Sequence, residues 1–431
     1  MTSEGSWDRR SVLRGAAAVA GGAAAMPLLG GTAAARTGIE DADALFKSGR
    51  FEEAGRAYEK ILKTDPGNVR AARQRGYVGL LSNRFPEAEK YLRMAFDLAP
   101  DDKDTNRLLG DCYIRQDEFA RSVPHWRAAG KEVFAKWFGA LRGEAYQIRG
   151  DTARLPWQQV DPTPLVEGSV NGGPPKRFMF YTGAPWLGVS AKVAEEAGLT
   201  AVAEQKIDYL DGTAWQYFGV LESFTMDGIE LRNIPVEWSE TDQVSPGGAN
   251  DGIIGTWIFY HLLTTFDYAG RTLILRRRTP ETAAKVRAAA LRAGADRLPL
   301  WLAREHGVHS RGGIAGSGPG VVGLSIGGTG ESAAIMSEET AERSRVRIDR
   351  DRPLETFGHS HPVVVYPCYP KELRLGGASA RDIYCGANPT MRPAPDGFDT
   401  LGAFFHPFYK PFNITLDFTD MNVYVGRGKA A

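Results

Sequence analysis

The sequence has only three cysteines in 431 residues and no excess charge of either sign, because 52 Lys and Arg face 52 Asp and Glu. No cysteine spacing resembles a zinc site. The charge balance removes the global field that draws a protein to nucleic acid or an anionic membrane, so neither is expected as a partner. No dedicated cofactor motif occurs, and no cofactor is expected. A hydrophobic fraction of 43% beside 24% charged residues argues against both a wholly disordered chain and a membrane bundle. What is abundant is glycine, with 50, and proline, with 25; most lie after residue 150 and point to a second part rich in turns and strands. The length suggests two or three domains.

The amino terminus reads as an address. Asp8, Arg9, Arg10, Ser11, Val12, Leu13 and Arg14 put paired arginines ahead of residues 15–29, a weakly apolar Ala/Gly stretch with Pro27 inside it. Thr32, Ala33, Ala34 and Ala35 follow as a small-residue cleavage site. A spanning helix would favour Leu, Ile and Phe over about 20 residues. The segment 1–35 is therefore expected to be a twin-arginine signal, cleaved near Ala35. The product is expected to be exported to the cell surface or beyond, with no membrane span after cleavage. In that compartment Cys368 and Cys385 are disulfide candidates, with two buried free thiols as the alternative.

Residues 36–150 carry a 34-residue period. Phe51, Phe85 and Phe119 recur at it, Ala54 matches Ala88, Pro66 matches Pro100, and Gly76 matches Gly110. Tyr58, Leu92 and Trp126 share one further register. Small residues where helices cross, a large residue filling the gap and a proline ending the second helix resemble the tetratricopeptide repeat. Three units are expected to residue 130, capped by an amphipathic stretch over 131–149. The resemblance implies a surface for a protein partner, with a purely structural docking element as the alternative.

Beyond Val160 two signatures each occur twice. Arg177, Phe178, Met179, Phe180, Tyr181, Thr182, Gly183 and Ala184 precede a helix-like run over 190–198. Later come Asp251, Gly252, Ile253, Ile254 and Gly255, then Thr265, Phe266, Asp267 and Tyr268. In the second copy, Val321, Val322, Gly323, Leu324, Ser325 and Ile326 lead to Gly328, Thr329 and Gly330, ahead of a helix-like run over 337–343. Thr400, Leu401, Gly402, Ala403, Phe404 and Phe405 close it with Phe412 to Phe418. This order resembles two lobes of a retropepsin-like or pepsin-like aspartic protease, over 160–280 and 295–426. In that family apolar residues lead into Asp-Thr-Gly-Ala, and a later apolar-apolar-Gly loop supports the turn. The expected fold class is thus multidomain α + β, a tetratricopeptide-repeat helical array followed by two all-β aspartic-protease-like lobes.

On this alignment Tyr181 and Gly328 occupy the two aspartate positions, and Tyr181, Thr182, Gly183, Gly328, Thr329 and Gly330 form the cleft motif. The resemblance implies threonines that bind each other across the lobes. The family's chemistry needs two carboxyl groups sharing a proton. A phenol of pKa about 10 is a poor base at neutral pH, and glycine has no side chain. The expected function is a pseudo-protease that binds a peptide or other small elongated ligand in the interlobe cleft. The alternatives are repurposed chemistry by Tyr181 with His359 and His361, or a residual aspartic-type peptidase. Gly358, His359 and His361 fall where the second lobe's flap would fold over the cleft; a polar hairpin tip is the plainer reading. Tyr209, Asp211, Trp215 and Tyr217 are the first lobe's flap candidates. His306 and His309 read as loop residues, and Arg276, Arg277 and Arg278 as a solvated linker boundary. No metal site is expected.

Overall fold

The computed structural model describes residues 30–209, 212–240, 250–314, 317–328, 330–358, 361–392 and 394–430. The signal segment thus lies outside the described residues up to residue 29. Seven helices come first: α1 (Gly30–Lys47), α2 (Phe51–Thr64), α3 (Val69–Leu81), α4 (Phe85–Leu98), α5 (Lys103–Ile114), α6 (Phe119–Ala128) and α7 (Glu132–Ala140). The 34-residue period sets their packing. A Cβ added to Gly76 would meet Leu92 Cγ at 2.6 Å, and one added to Gly110 would meet the Trp126 ring at 2.7 Å. The large residue of each second helix therefore sits directly against the glycine of the first. Ala54 and Ala88 are fully buried, and Ala88 packs against Gly79 at the α3–α4 crossing. The stretch expected to cap the stack is helical only to Ala140; residues Gln147–Arg149 instead form a strand against Glu230–Arg232 of the first lobe.

Each lobe repeats one sequence of elements. In the first, strand Lys176–Phe180 pairs in parallel with Gly252–Ile254. In the second, Gly320–Leu324 pairs in parallel with Thr400–Phe404. Short helices Ala191–Glu196 and Glu338–Arg343 are each opened by a serine whose hydroxyl accepts an amide: Ser190 from Val193, and Ser337 from Thr340. Helices Thr256–Tyr260 and His406–Tyr409 then feed the hairpins Leu262–Asp267/Thr272–Arg277 and Phe412–Asp417/Asn422–Arg427.

The two hairpins pair with each other, with Thr265 opposite Thr415 and their hydroxyls 2.8 Å apart. Strands Thr152–Pro156 and Asp296–Pro299 complete a six-stranded sheet joining the lobes. Arg276 and Arg277 lie in this sheet rather than in a linker. Arg276 donates to the Thr265 hydroxyl, and Arg278 donates to the Tyr260 carbonyl. His309 is likewise not a loop residue: it is buried in strand Gly307–Ile314.

The apolar core crosses the domain boundaries. Trp126, Trp137 and Phe138 of the helical array join one cluster with Trp186 and Trp257 of the first lobe. Phe46, Phe51 and Tyr77 join another with Trp301 and Phe398 of the second. Trp186 stacks on Trp257 at 5.1 Å with 5° between planes, and meets Trp137 edge-on at 5.0 Å. The array is thus packed along both lobes.

Candidate functional site

The two parallel strand pairs define the floor between the lobes. Phe180 lies beside Ile254 in the first lobe, and Leu324 beside Phe404 in the second. One residue further on, the Tyr181 amide donates to Ile254 O at 3.0 Å and the Ser325 amide donates to Phe404 O at 2.9 Å. Tyr181 and Ser325 therefore hold equivalent positions. This corrects the alignment that put Gly328 opposite Tyr181: the residue matching Tyr181 is three positions earlier.

The lobes are tied at this floor by one threonine. Thr182, 1% exposed, donates its hydroxyl to Leu324 O at 2.7 Å and accepts the Ile326 amide at 2.8 Å. Its own amide donates to Ile326 O at 3.0 Å, and the Gly328 amide donates to Phe180 O at 3.1 Å. Thr182 thus bonds the backbone of the other lobe, and the position equivalent to it is Ile326, which has no hydroxyl to reciprocate. Thr329 lies outside the described residues; Gly330, next to it, is exposed with φ +124°.

The Tyr181 ring lies between two glycines. A Cβ on Gly183 would fall 2.1 Å from its Cζ, and one on Gly328 would fall 2.7 Å from its Cδ2. Gly328 has φ +76°, so its backbone as well as its space calls for glycine. The ring is half-buried and closes the floor. Burial pushes the phenol above its ordinary pKa, and the nearby Ser325 hydroxyl opposes that shift. Tyr181 is accordingly a neutral phenol that donates a proton poorly and is no base at neutral pH. Neither equivalent position carries a carboxylate.

Beneath the floor runs a hydrogen-bonded chain not foreseen from sequence. The Gly327 amide donates to the Tyr268 hydroxyl at 2.9 Å. That hydroxyl is 3.3 Å from His406 Nδ1, and His406 Nε2 is 3.3 Å from Asp161 Oδ1. Lys410 donates to the same carboxylate oxygen at 2.7 Å. Burial pushes His406 below the usual imidazole range, with Lys410 adding to the effect and Asp161 opposing it. A neutral ring fits the order Gly327 N–H to Tyr268 O–H to His406 Nδ1, with His406 Nε2–H donated to Asp161. The available signal was that Tyr268 follows Asp267 and that His406 follows the supporting Phe404 and Phe405.

The flap candidates fall on two hairpins. Strand Ala203–Tyr209 pairs with Gly212–Met226, with Tyr209 opposite Gly212; Asp211 lies outside the described residues. Trp215 and Tyr217 are half-buried on this hairpin, with the Lys206 ammonium 5.2 Å over the Trp215 ring and Trp238 5.8 Å from Tyr217. The second hairpin joins Leu354–Gly358 to His361–Tyr369, with Gly358 opposite His361; His359 lies outside the described residues. Cys368 and Cys385 stand directly opposite each other on antiparallel strands, both buried and both free thiols. Burial pushes Cys368 up to about 12. Among the described residues no group of three or more His, Cys, Asp or Glu is placed to hold a metal, and no helix is long and apolar enough to cross a membrane. The surface cavities among the described residues include one of about 430 Å³ beside Arg142 and Asn233 and one of about 370 Å³ between Ser48 and Leu401. Neither is lined by Tyr181 or Ser325.

Comparison with known proteins bears on both parts of the chain. No curated protein matches it. Among solved structures, a point mutant of the O-GlcNAc transferase of Thermobaculum terrenum is similar at 20% identity and a TM-score of 0.24, over 26% of this chain and 24% of that one. The chain thus spans about a quarter of that protein. Residues 40–103 match the family model described as tetratricopeptide repeat, and residues 166–257 match the one described as aspartyl protease. The chain therefore carries tetratricopeptide repeats in its helical part and, after them, a strand-rich part with an aspartyl-protease-type domain.

Proposed function

We propose that the protein is an exported, non-catalytic member of the aspartic-protease fold that binds an extended polypeptide between its lobes. One observation carries this reading: the two equivalent floor positions hold Tyr181 and Ser325, which lack the paired carboxyls needed to share a proton and activate water. Meanwhile the supports of the floor are kept, namely the Thr182 tie and both parallel strand pairs. The Tyr181 ring closes the floor, so the polypeptide lies over the ring, against flap aromatics such as Trp215 and Tyr217. The repeats favour a protein partner on their outward helices. The twin arginines and the small-residue site near Ala35 support export.

A fluorescein-labelled unfolded casein tests the central claim. Saturable binding without cleavage is expected, weakened by both Tyr181→Arg and Trp215→Ala. Cleavage by the wild type that is lost in Tyr181→Phe would overturn the non-catalytic reading. Absence of any saturable binding would overturn ligand binding and leave a purely structural assembly role. The export claim is tested separately by sequencing the mature amino terminus: a start near Arg36 is expected, and Met1 on secreted protein would refute it.

A further inference from the structure

Among the contacts of the helical array with the lobes, two groups adjoin a support of the floor. At its first end, the Asp399 amide donates to Lys47 O of α1 at 2.7 Å. Phe398, fully buried, sets its ring 5.0 Å from Phe51 and 6.0 Å from Phe46. The hydroxyl of Tyr77 in α3 donates to Asp396 O at 3.3 Å. Asp399 is followed by Thr400, which opens the strand Thr400–Phe404, whose last carbonyl holds the Ser325 amide. The array's grip on the second lobe is therefore one residue from the strand that supports one half of the floor.

The turn after α5 does the same to the first lobe. The Tyr260 hydroxyl donates to Arg115 O at 2.8 Å, and His261 Nε2 is 2.8 Å from Asp117 Oδ1. Tyr260 closes the helix Thr256–Tyr260, whose Thr256 hydroxyl donates to Thr182 O at 2.8 Å. Two residues before that helix, the Ile254 carbonyl holds the Tyr181 amide. Arg115 links both grips. Its guanidinium donates to Arg304 O of the second lobe at 2.6 Å and to Leu80 O of α3 at 2.8 Å, while its carbonyl receives Tyr260 of the first lobe. One residue in the array is thus bonded to both lobes.

We propose that the array is an intramolecular clamp: by holding the Phe398–Asp399 segment and the Tyr260–His261 segment at a fixed separation, it sets how closely the Tyr181 and Ser325 halves of the floor meet. The face of the repeats formed by α1, α3 and α5 is then occupied by the chain itself, and a partner is left the outward helices. Coupling of this kind is reciprocal, so loosening either grip loosens the interlobe bonds made by Thr182, Ile326 and Gly328.

Amide hydrogen exchange on the full chain tests it. Tyr260→Phe removes one hydroxyl bond and keeps the ring; Phe398→Leu keeps an apolar side chain while removing the aromatic fit. Both are expected to speed exchange about tenfold in peptides covering 180–184 and 324–328, by favouring local opening. Arg50→Ala, which breaks only an exposed pair with Glu53, is expected to leave those peptides unchanged. Faster exchange confined to residues 46–51, 115–117 and 396–399, with the floor at wild-type rates, would overturn the clamp and make the array an independent appendage. If Phe398→Leu does not fold, Tyr260→Phe alone decides, in either direction.

Discussion

Thr182→Val isolates the interlobe tie. Valine matches threonine in shape, so no cavity opens, yet the single hydroxyl both donates to Leu324 O and accepts from the Ile326 amide. Thr182 is 1% exposed, so water has little access to replace either bond. A buried backbone group left without a partner costs about 1–3 kcal/mol, and two are orphaned, for about 2–6 kcal/mol together. Thr182→Ser is the control: it keeps the hydroxyl and loses one methyl, worth about 1 kcal/mol. The assay is urea unfolding of both variants and the wild type, followed by tryptophan fluorescence. The midpoint is expected to fall further for Val than for Ser. A Val variant at least as stable as the Ser variant would refute the tie, and with it the view that the lobes are held together at this floor.

Two other perturbations read the same region. Tyr181→Asp with Ser325→Asp places carboxylates at the two equivalent positions, so a double-mutant cycle of stability is expected to give unfavourable coupling of about 1–4 kcal/mol at pH 7. The unfavourable coupling should be relieved as pH falls toward about 4 and the pair takes up a proton that the two carboxyls can share; additive effects at pH 7 would refute the assignment of Ser325. His406, 1% exposed, has a pKa lowered by burial, so the neutral ring is favoured on folding. Its contribution to stability is present above the unfolded imidazole value of about 6.5 and is lost as pH falls through the lowered folded value. His406→Gln is expected to flatten the fall in stability between pH 7 and 5 in denaturation experiments, and an unchanged profile would count against the chain from Gly327 to Asp161.

Repetition made much of this architecture legible in the sequence. The period of 34 identified the helical array because Gly76 and Gly110 have no room for a side chain beside Leu92 and Trp126, so the spacing of small and large residues is itself the packing. The doubled order of strand, turn, short helix and supporting loop identified the lobes for a similar reason: each turn must carry residues that allow close backbone approach. What stayed hidden was contact between distant segments. Nothing near Phe398 or Arg115 in sequence announces that they meet Phe51 and Tyr260, because an aromatic or arginine buried at a domain junction looks like one buried anywhere else.

The error in the second lobe's register has its own cause. Gly328, Thr329 and Gly330 imitate the Thr-Gly step of the family turn, whereas the segment that makes the turn, Leu324, Ser325, Ile326 and Gly327, has lost both the acid and the threonine. Residue identity therefore favoured the wrong triplet. Hydrogen bonding decides otherwise, because Ser325 follows the strand residue paired with Phe404 and the next residue, Ile326, exchanges amide bonds with Thr182. The correction changes the chemistry of the floor. A glycine there would have set no side chain near Tyr181, whereas Ser325 sets a hydroxyl there, so the two equivalent positions hold neutral hydroxyl groups and no carboxyl. On the proposed reading, a ligand bound above the floor would meet hydroxyl groups that do not titrate near neutral pH, so its binding is expected to change little with pH between about 6 and 8.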